Sequence, residues 1–332
     1  MTDSFITIVI PTLNERDYII ETITEISAGL AGRDHEIIVA DGGSSDGTQD
    51  LVTEYAKAHP TVRLLHNPCR LQSAAVNIAT QMADARSTVL VRVDAHCSYP
   101  ENFIDLVVDA LRANNAQSVV VPMFTMGSET VYQEAVALAQ NSKLGNGGSS
   151  HRSGGTPSTW VDHGHHAAFD LEFFKLIGGY DESFATNEDA EYDVRVAKAG
   201  GRIWMCREAE ITYYPRRSPS SLAKQYFKYG VGRASTVLKH KICPRPRQMA
   251  PVVIFLVLLA SFLSLPICLY SVLPILGYLG LCLHYGMKQS PSFGPGALRI
   301  CSAFVIMHNA WAAGFISRVF SSLFRRRSRN DH

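Results

Sequence analysis

Forty consecutive residues, Gln248 to Met287, carry no Asp, Glu, Lys or Arg. Crossing a hydrocarbon layer takes about 20 apolar residues. The stretch is therefore long enough to cross twice, with Pro266 and Pro274 marking a turn or kink. A second uncharged stretch, Ile300–Ser317, is about one span long. The competing reading is a buried helical hairpin, but soluble cores rarely need so many consecutive uncharged residues. Charge orients the segment. Pro215–Arg247 holds nine Lys/Arg and no acid, and the chain closes on Arg325-Arg326-Arg327-Ser328-Arg329. Positive flanks stay in the cytoplasm. With both ends inside, an even number of crossings is expected: two plus a re-entrant or interfacial piece fits best, with three or four as the alternatives. The basic stretch also favours an anionic leaflet, by about 1 kcal/mol per charge near the surface.

The formal charge of +1 hides a division. Residues 1–210 hold 15 Lys/Arg against 29 Asp/Glu, whereas residues 211–332 hold 16 against the single acid Asp331. An acidic front and a basic, apolar back do different jobs. Charged residues are 18% of the chain and apolar residues 46%. That excludes a disordered chain, a collagen and a small disulfide scaffold, and no basic nucleic-acid-binding pattern is present. The seven cysteines form no C-x-x-C pair, which predicts a reduced, cytoplasmic setting. Met1-Thr2-Asp3-Ser4 lacks a basic n-region, and Ile6–Ile10 is too short for a signal core, so no secretory signal is expected.

The front half alternates. Phe5–Ile10 reads as a buried strand ending at Pro11, and Asn14–Leu30 has helical spacing. Strands follow at Glu36–Ala40, Val62–Leu65, Thr88–Val93 and Ser118–Met123, with helices between them. Such alternation means right-handed βαβ units, an α/β fold and a mostly parallel sheet. These sheets bind ligands at the carboxyl ends of their strands, where Asp41 and Asp94 fall. Asn141–Thr159, rich in Gly, Ser and Asn, reads as a long mobile loop. Further predicted elements are helices over Asp170–Gly179 and Asn187–Gly200, short strands over Arg202–Cys206 and Ile211–Tyr214, and a basic helix over about 218–245.

Four constellations carry chemistry. Pro11-Thr12-Leu13-Asn14-Glu15 and Asp41-Gly42-Gly43-Ser44-Ser45-Asp46-Gly47-Thr48 end adjacent strands. Glycines there let the backbone approach a ligand, and Asp41 can accept from a ring N–H or a ribose hydroxyl. Neither G-x-G-x-x-G nor a P-loop is present. Asp94-Ala95-His96 follows a buried strand, and carboxylate plus imidazole suits Mg2+ or Mn2+ shared with phosphate oxygens. In Asn187-Glu188-Asp189-Ala190-Glu191-Tyr192-Asp193, a helix start aimed into the cleft makes Asp189 a candidate general base. Solvated acids at a helix start are the plainer alternative. In Gln225–Arg233, Lys228 and Arg233 among aromatics can neutralise a diphosphate; a juxtamembrane amphipathic helix is the compatible alternative. His163, His165 and His166 are placed on the acceptor side, with ordinary packing as the competing reading.

At these residues the sequence resembles the family 2 glycosyltransferases, and within them the bacterial branch that builds succinoglycan-like exopolysaccharides. The motifs are Pro11–Glu15, Asp41–Thr48, Asp94-Ala95-His96, Gly178-Gly179-Tyr180-Asp181-Glu182, Glu188-Asp189 and Gln225–Arg233. The resemblance implies a GT-A fold and a β-linkage formed with inversion from a nucleotide sugar. It implies that Pro11, Thr12, Asn14, Glu15 and Asp41 hold the nucleobase and ribose, with Arg70 a further candidate. Asp94 and His96 take the D-x-D place on the metal and diphosphate. Asp189 matches the catalytic base, with Glu188 beside it. Gln225 and Arg233 fall where relatives use Q-x-x-R-W on the pyrophosphate. Two departures stand out: His96 replaces the second metal-motif acid, and Arg233 lacks a following Trp.

The expectation is therefore a GT-A domain over residues 1–245 and a helical membrane region over 246–332. Its function would be a metal-dependent hexosyltransferase moving glucose from UDP-glucose to a lipid-diphosphate-linked saccharide, at the cytoplasmic face of the bacterial inner membrane. Other exopolysaccharide-assembly proteins are further expected partners. The rivals are a sugar nucleotidyltransferase, whose Gly-rich basic signature is absent near the amino terminus, and a non-enzymatic membrane protein, which leaves the acidic strand ends unexplained.

Overall fold

The computed structural model describes residues 5–30, 32–149, 152, 157–290 and 294–330, with side chains to Phe324 in the last helix. Met1–Ser4, part of the Gly-rich stretch and the side chains of the basic tail 325–329 lie outside the described residues. The chain divides into two compact units, Met1–Phe124 with Gly154–Tyr213, and Thr125–Ser153 with Tyr214–His332.

The first unit opens with β1 (Phe5–Thr12), α1 (Ile19–Ala28), β2 (His35–Asp41), α2 (Thr48–Ala58), β3 (Val62–His66), α3 (Gln72–Gln81) and β4 (Ser87–Arg92). Then come β5 (Cys97–Ser98), α4 (Phe103–Ala113), β6 (Ser118–Val121) and β7 (Met123–Thr125), whose last residue opens the second unit. In the second unit α5 (Val131–Asn141) and α6 (Lys143–Asn146) follow. The chain returns to the first unit with β8 (Thr159–Val161), β9 (His165–Asp170), α7 (Leu171–Leu176), α8 (Glu188–Lys198), β10 (Ile203–Met205) and β11 (Ile211–Tyr213). The second unit resumes with α9 (Pro219–His240), α10 (Pro246–Ser264), α11 (Val272–Gln289) and α12 (Pro295–Asn330).

The main sheet runs β3-β2-β1-β4-β9-β6-β10-β8, with β5-β11-β7 as a small second sheet. β3, β2, β1 and β4 are mutually parallel, as the βαβ reading requires. The sequence reading missed β9, which runs antiparallel between β4 and β6. It is six residues long and carries two histidines, so it lacks the continuous apolar run that marks a central strand. Both faces of the sheet are buried. Ile6, Ile8 and Ile10 of β1 enter one core cluster and Val9 the other. β4 alternates likewise: Val89 and Val91 join the first cluster and Leu90 the second, so Arg92 shares the face of Leu90, Phe169 and Tyr180.

In the second unit, Pro246–Ser264, Leu269–Gln289 and Pro295–Phe324 are long and apolar enough to cross a membrane by length and composition. The chain breaks at Pro266 as expected, but Pro274 sits in the first turn of α11 and kinks nothing, because its missing N–H would have no helical partner there. The sequence reading favoured two spans plus a re-entrant or interfacial piece and left three or four open; three helices reach span length, and the third is much the most buried of them. α12 lies against α9. A Cβ on Gly230 would stand 2.0 Å from the Trp311 carbonyl oxygen, and one on Gly314 would stand 2.1 Å from that of Phe227. Two glycines thus let two backbones touch, as small residues do between membrane helices. The stretch read as a long loop contains α6, and Ser142 caps it by accepting from the Gly145 N–H.

Candidate active site

The carboxyl ends of β2, β1 and β4 lie side by side because those strands are adjacent and parallel. At about 4.8 Å per strand, the Asp41 end stands roughly 10 Å from the Asp94 end.

On the β1–β2 side, Asp41 is buried. Its Oδ1 accepts from the Gly43 and Ser44 N–H groups, each at 2.8 Å, and from Gln49 Nε2 at 2.8 Å, while Ser44 Oγ donates to Oδ2 at 2.5 Å. The turn then curls with Gly43 and Gly47 at φ 81° and 94°, in the left-handed region that glycine tolerates. Asp46, just before the Gly47 cap of α2, accepts from the Thr48 N–H at 3.0 Å. Asn14 bridges the two strand ends: its N–H donates to Ser44 Oγ at 2.8 Å and its Oδ1 accepts from the Ser45 N–H at 2.9 Å. Thr12 is buried, with its hydroxyl on the Ile10 carbonyl; Pro11 precedes it in β1. Arg70 arches over the glycine turn, with Nε 2.9 Å from the Gly42 carbonyl oxygen.

On the β4 side, Asp94 Oδ1 accepts from Gln72 Nε2 at 2.9 Å, and Tyr99 Oη meets the Asp94 backbone N at 2.6 Å and O at 3.0 Å. His96, 44% exposed at its side chain, pairs through Nδ1 with Glu15 Oε1 at 3.1 Å, tying the two halves of the rim together. The sequence reading passed over Arg92. Its side chain is 1% exposed. Nη1 donates to Asp189 Oδ1 at 2.8 Å and to Tyr180 Oη at 3.1 Å, and Nη2 pairs with the His165 ring at 3.0 Å. Its Nε lies 3.6 Å from Asp94 Oδ1. Tyr180 Oη donates to Asp189 Oδ1 at 2.6 Å, and His165 Nε2 is 3.5 Å from Asp94 Oδ2. The signal that could have found Arg92 is a cation inside an apolar strand, since such a charge stays buried only among partners.

Asp189 and Glu188 open α8, where the helix dipole favours acids. Burial alone would raise both carboxyls. At Asp189 burial is the largest single influence, but Arg92, His166, His165 and Tyr180 together outweigh it and the pKa falls well below the usual range. At Glu188 burial and the Asp189 charge prevail, pushing it up to about 7. Burial likewise opposes ionisation at Asp94, but Arg92, His165 and His96 lower its pKa.

The three histidines separate. His165 joins the Arg92–Asp94 group. His166 has no exposed surface: Nε2 lies 2.7 Å from Asp193 Oδ1 and Nδ1 lies 2.5 Å from Ser118 Oγ. It is a core residue holding α8 to the sheet, which corrects its expected place on the acceptor side; a group without surface meets no acceptor. His163 holds the other Asp193 oxygen, at 2.5 Å, and keeps a partly exposed ring. Gln225, Lys228 and Arg233 lie on α9 in the second unit, with Gln225 Nε2 donating to Tyr229 Oη at 3.1 Å.

Among the described residues no group of three or more His, Cys, Asp or Glu side chains stands ready for a metal. Asp94 and His96 still fit a shared ion: Mg2+ is commonly held by one or two protein groups plus substrate phosphates, and the Asp94 side chain is 17% exposed.

The sequence profile of Glycosyl transferase family 2 matches residues 7–178, which run from β1 through α7 and carry the whole rim except Tyr180, Glu188 and Asp189. This chain belongs to glycosyltransferase family 2. Over 324 residues it is 44% identical to the succinoglycan biosynthesis protein ExoA of Rhizobium meliloti (strain 1021), covering 96% of each chain. A dolichyl N-acetyl-alpha-D-glucosaminyl phosphate 3-beta-D-2,3-diacetamido-2,3-dideoxy-beta-D-glucuronosyltransferase of Methanococcus voltae is 26% identical, over 71% of this chain and 75% of the relative. Among solved structures, a mannosyltransferase from Pyrobaculum calidifontis in complex with GDP-Man and Mn2+ superposes with a TM-score of 0.58 at 18% identity, covering 95% of this chain and 87% of its own. The fold of this family 2 enzyme is GT-A. Membership places it among glycosyl-transferring enzymes and sets aside both the nucleotidyltransferase and the non-enzymatic readings.

Proposed function

We propose that this glycosyltransferase moves a hexose, glucose from UDP-glucose, onto a lipid-diphosphate-linked saccharide with inversion, forming a β-linkage. It would act at the cytoplasmic face of the bacterial inner membrane, in assembly of a succinoglycan-type exopolysaccharide and beside other proteins of that assembly. The 44% identity to the succinoglycan biosynthesis protein supports the product class. The dolichyl-linked substrate in the name of the Methanococcus relative supports a lipid-linked acceptor. The three long apolar helices support the membrane setting, and the acid-free basic stretch before them supports the cytoplasmic face.

One observation carries the chemistry: Asp94 and Asp189 flank a single buried guanidinium at the ligand-binding edge of the sheet. In this reading Pro11, Thr12, Asn14, Glu15, Asp41 and Arg70 form the nucleoside site, with the buried Asp41 carboxylate holding the Gly43–Ser44 turn in shape. Asp94 and His96 would hold a divalent cation, Mg2+ or Mn2+, and Gln225, Lys228 and Arg233 would meet the diphosphate. When bound, the cation offsets charge on the departing diphosphate. Asp189, already ionised, takes the acceptor hydroxyl's proton as the new C–O bond forms. The hydroxyl becomes strongly acidic only as it attacks, so a carboxylate of low proton affinity suffices. Glu188 supports a second reading: raised to about 7, its carboxyl is matched to neutral pH as a base.

Membranes bearing the protein, incubated with labelled nucleotide sugars and a lipid-diphosphate saccharide, test the whole. Transfer from UDP-glucose with a β-linkage is expected; transfer from another donor alone would replace the sugar assignment. Chelation should abolish turnover, and unchanged turnover would remove the metal. Asp189→Asn and Glu188→Gln separate the two bases, since the true base loses transfer and keeps UDP binding.

A further inference from the structure

We infer that Arg92 is a positioning residue that ties the general base to the donor-side carboxylate. The inference rests on the reading of Asp189 as base. Three observations support it. The guanidinium is fully buried on a strand whose neighbouring residues are valines, so its charge has been kept at a cost that only close carboxylates offset. Its two Nη atoms hold Asp189 at 2.8 and 3.4 Å, and Tyr180 holds the same Oδ1 at 2.6 Å, so the Asp189 carboxylate is fixed in one orientation before any acceptor arrives. Its remaining donor, Nε, is buried with no hydrogen-bond partner among the described residues and lies 3.6 Å from Asp94 Oδ1, too long for a hydrogen bond.

That open contact makes Arg92 more than a brace. Asp94 sits two residues further along and projects to the same side, so one guanidinium faces both carboxylates. Because N–H···O bonds form at about 3 Å, a movement of less than about 1 Å closes or opens the Nε–Asp94 contact. Whatever draws on Asp94 when donor binds is therefore felt at Asp189 through a rigid planar group. Lysine cannot copy this, being a point charge without a fork. The role is in the base's aim and its coupling to the donor end, and Arg92 itself touches neither substrate.

The test uses the full-length protein in membranes or detergent, with UDP as the binding probe. Arg92→Lys should bind UDP as the wild type does, while kcat falls roughly 10- to 100-fold, the loss expected when a catalytic group is displaced by about 1 Å. Wild-type kcat in this variant overturns the inference, as does a loss of UDP affinity in the same proportion as kcat. Arg92→Met removes the cation that Asp94 and Asp189 share, two carboxylates that are mostly shielded from solvent, so its unfolding temperature should drop; the Arg92→Met/Asp189→Asn double variant, which removes one of the two charges, should recover part of that loss. Equal instability in single and double variants would also overturn it. Full transfer by Asp189→Asn alone would sink the base assignment instead, and the stability cycle would still report on the Arg92–Asp189 tie.

Discussion

The rim of the sheet has two halves built on opposite plans. At the β1–β2 end, Asp41 is satisfied by groups two, three and eight residues on, and Asp46 by one two residues on. At the β4 end, Arg92 meets Asp189 across 97 positions, Tyr180 across 88 and His165 across 73. The first half centres on a local turn around Asp41, to which Asn14 and Arg70 add bonds across 28 to 31 positions. The second exists only when strand, helix and loop are all in place. The local half is suited to a fixed nucleoside cradle. The assembled half holds ionised carboxylates close to one another and so stores the charge a transfer reaction needs.

The largest test of that contrast is Asp189→Asn. On the assembled side, removing the proposed base should cost about 10²- to 10⁴-fold in transfer with UDP binding retained, read by product formation and titration. Next comes Tyr180→Phe, which deletes the 2.6 Å bond to Asp189. A hydrogen bond to a charged group is worth about 1.5–3 kcal/mol, so kcat should fall roughly 10- to 100-fold with donor KM unmoved. The local side should respond differently. Asp41→Ala strands the half-buried N–H groups of Gly43 and Ser44, at about 1 kcal/mol each, and should lower the unfolding temperature and raise donor KM with little change in kcat at saturation. An effect of Asp41→Ala on kcat alone would erase the distinction between the halves.

A pH slope tests stability alone. Glu188 is raised to about 7 when folded, above an unfolded value near 4.3, so the folded state holds its proton across that window. The stability this contributes is present below the unfolded value and is lost as pH rises through about 7. Glu188→Gln should flatten that slope in unfolding temperature measured between pH 5 and pH 8 (about 1.4 kcal/mol for each tenfold in proton affinity). An unchanged slope would show that Glu188 is not the buried acid responsible.

The same contrast explains which parts could be read in advance. The βαβ order was legible because β1, β2 and β4 are continuous apolar runs that end at Pro11, Asp41 and Asp94. β9 was not, since a short strand with His165 and His166 gains its place from its neighbours. His166 looked like a ligand-facing residue beside His163 and His165, yet its neighbours Ser118 and Asp193 come from a distant strand and helix. The α9–α12 contact hid in two glycines, Gly230 and Gly314, whose meaning depends on what stands opposite.

Alone, the amino-acid order determined the alternating sheet, the acidic strand ends and the long uncharged helices, because periodicity, turn chemistry and hydrophobic length act over a few neighbouring residues. Only the tertiary structure decided that Arg92 would be the shared counter-charge of Asp94 and Asp189, and that one histidine of three would be core. Electrostatics and burial depend on distance in space, and residues nearly a hundred positions apart have none until the chain is folded.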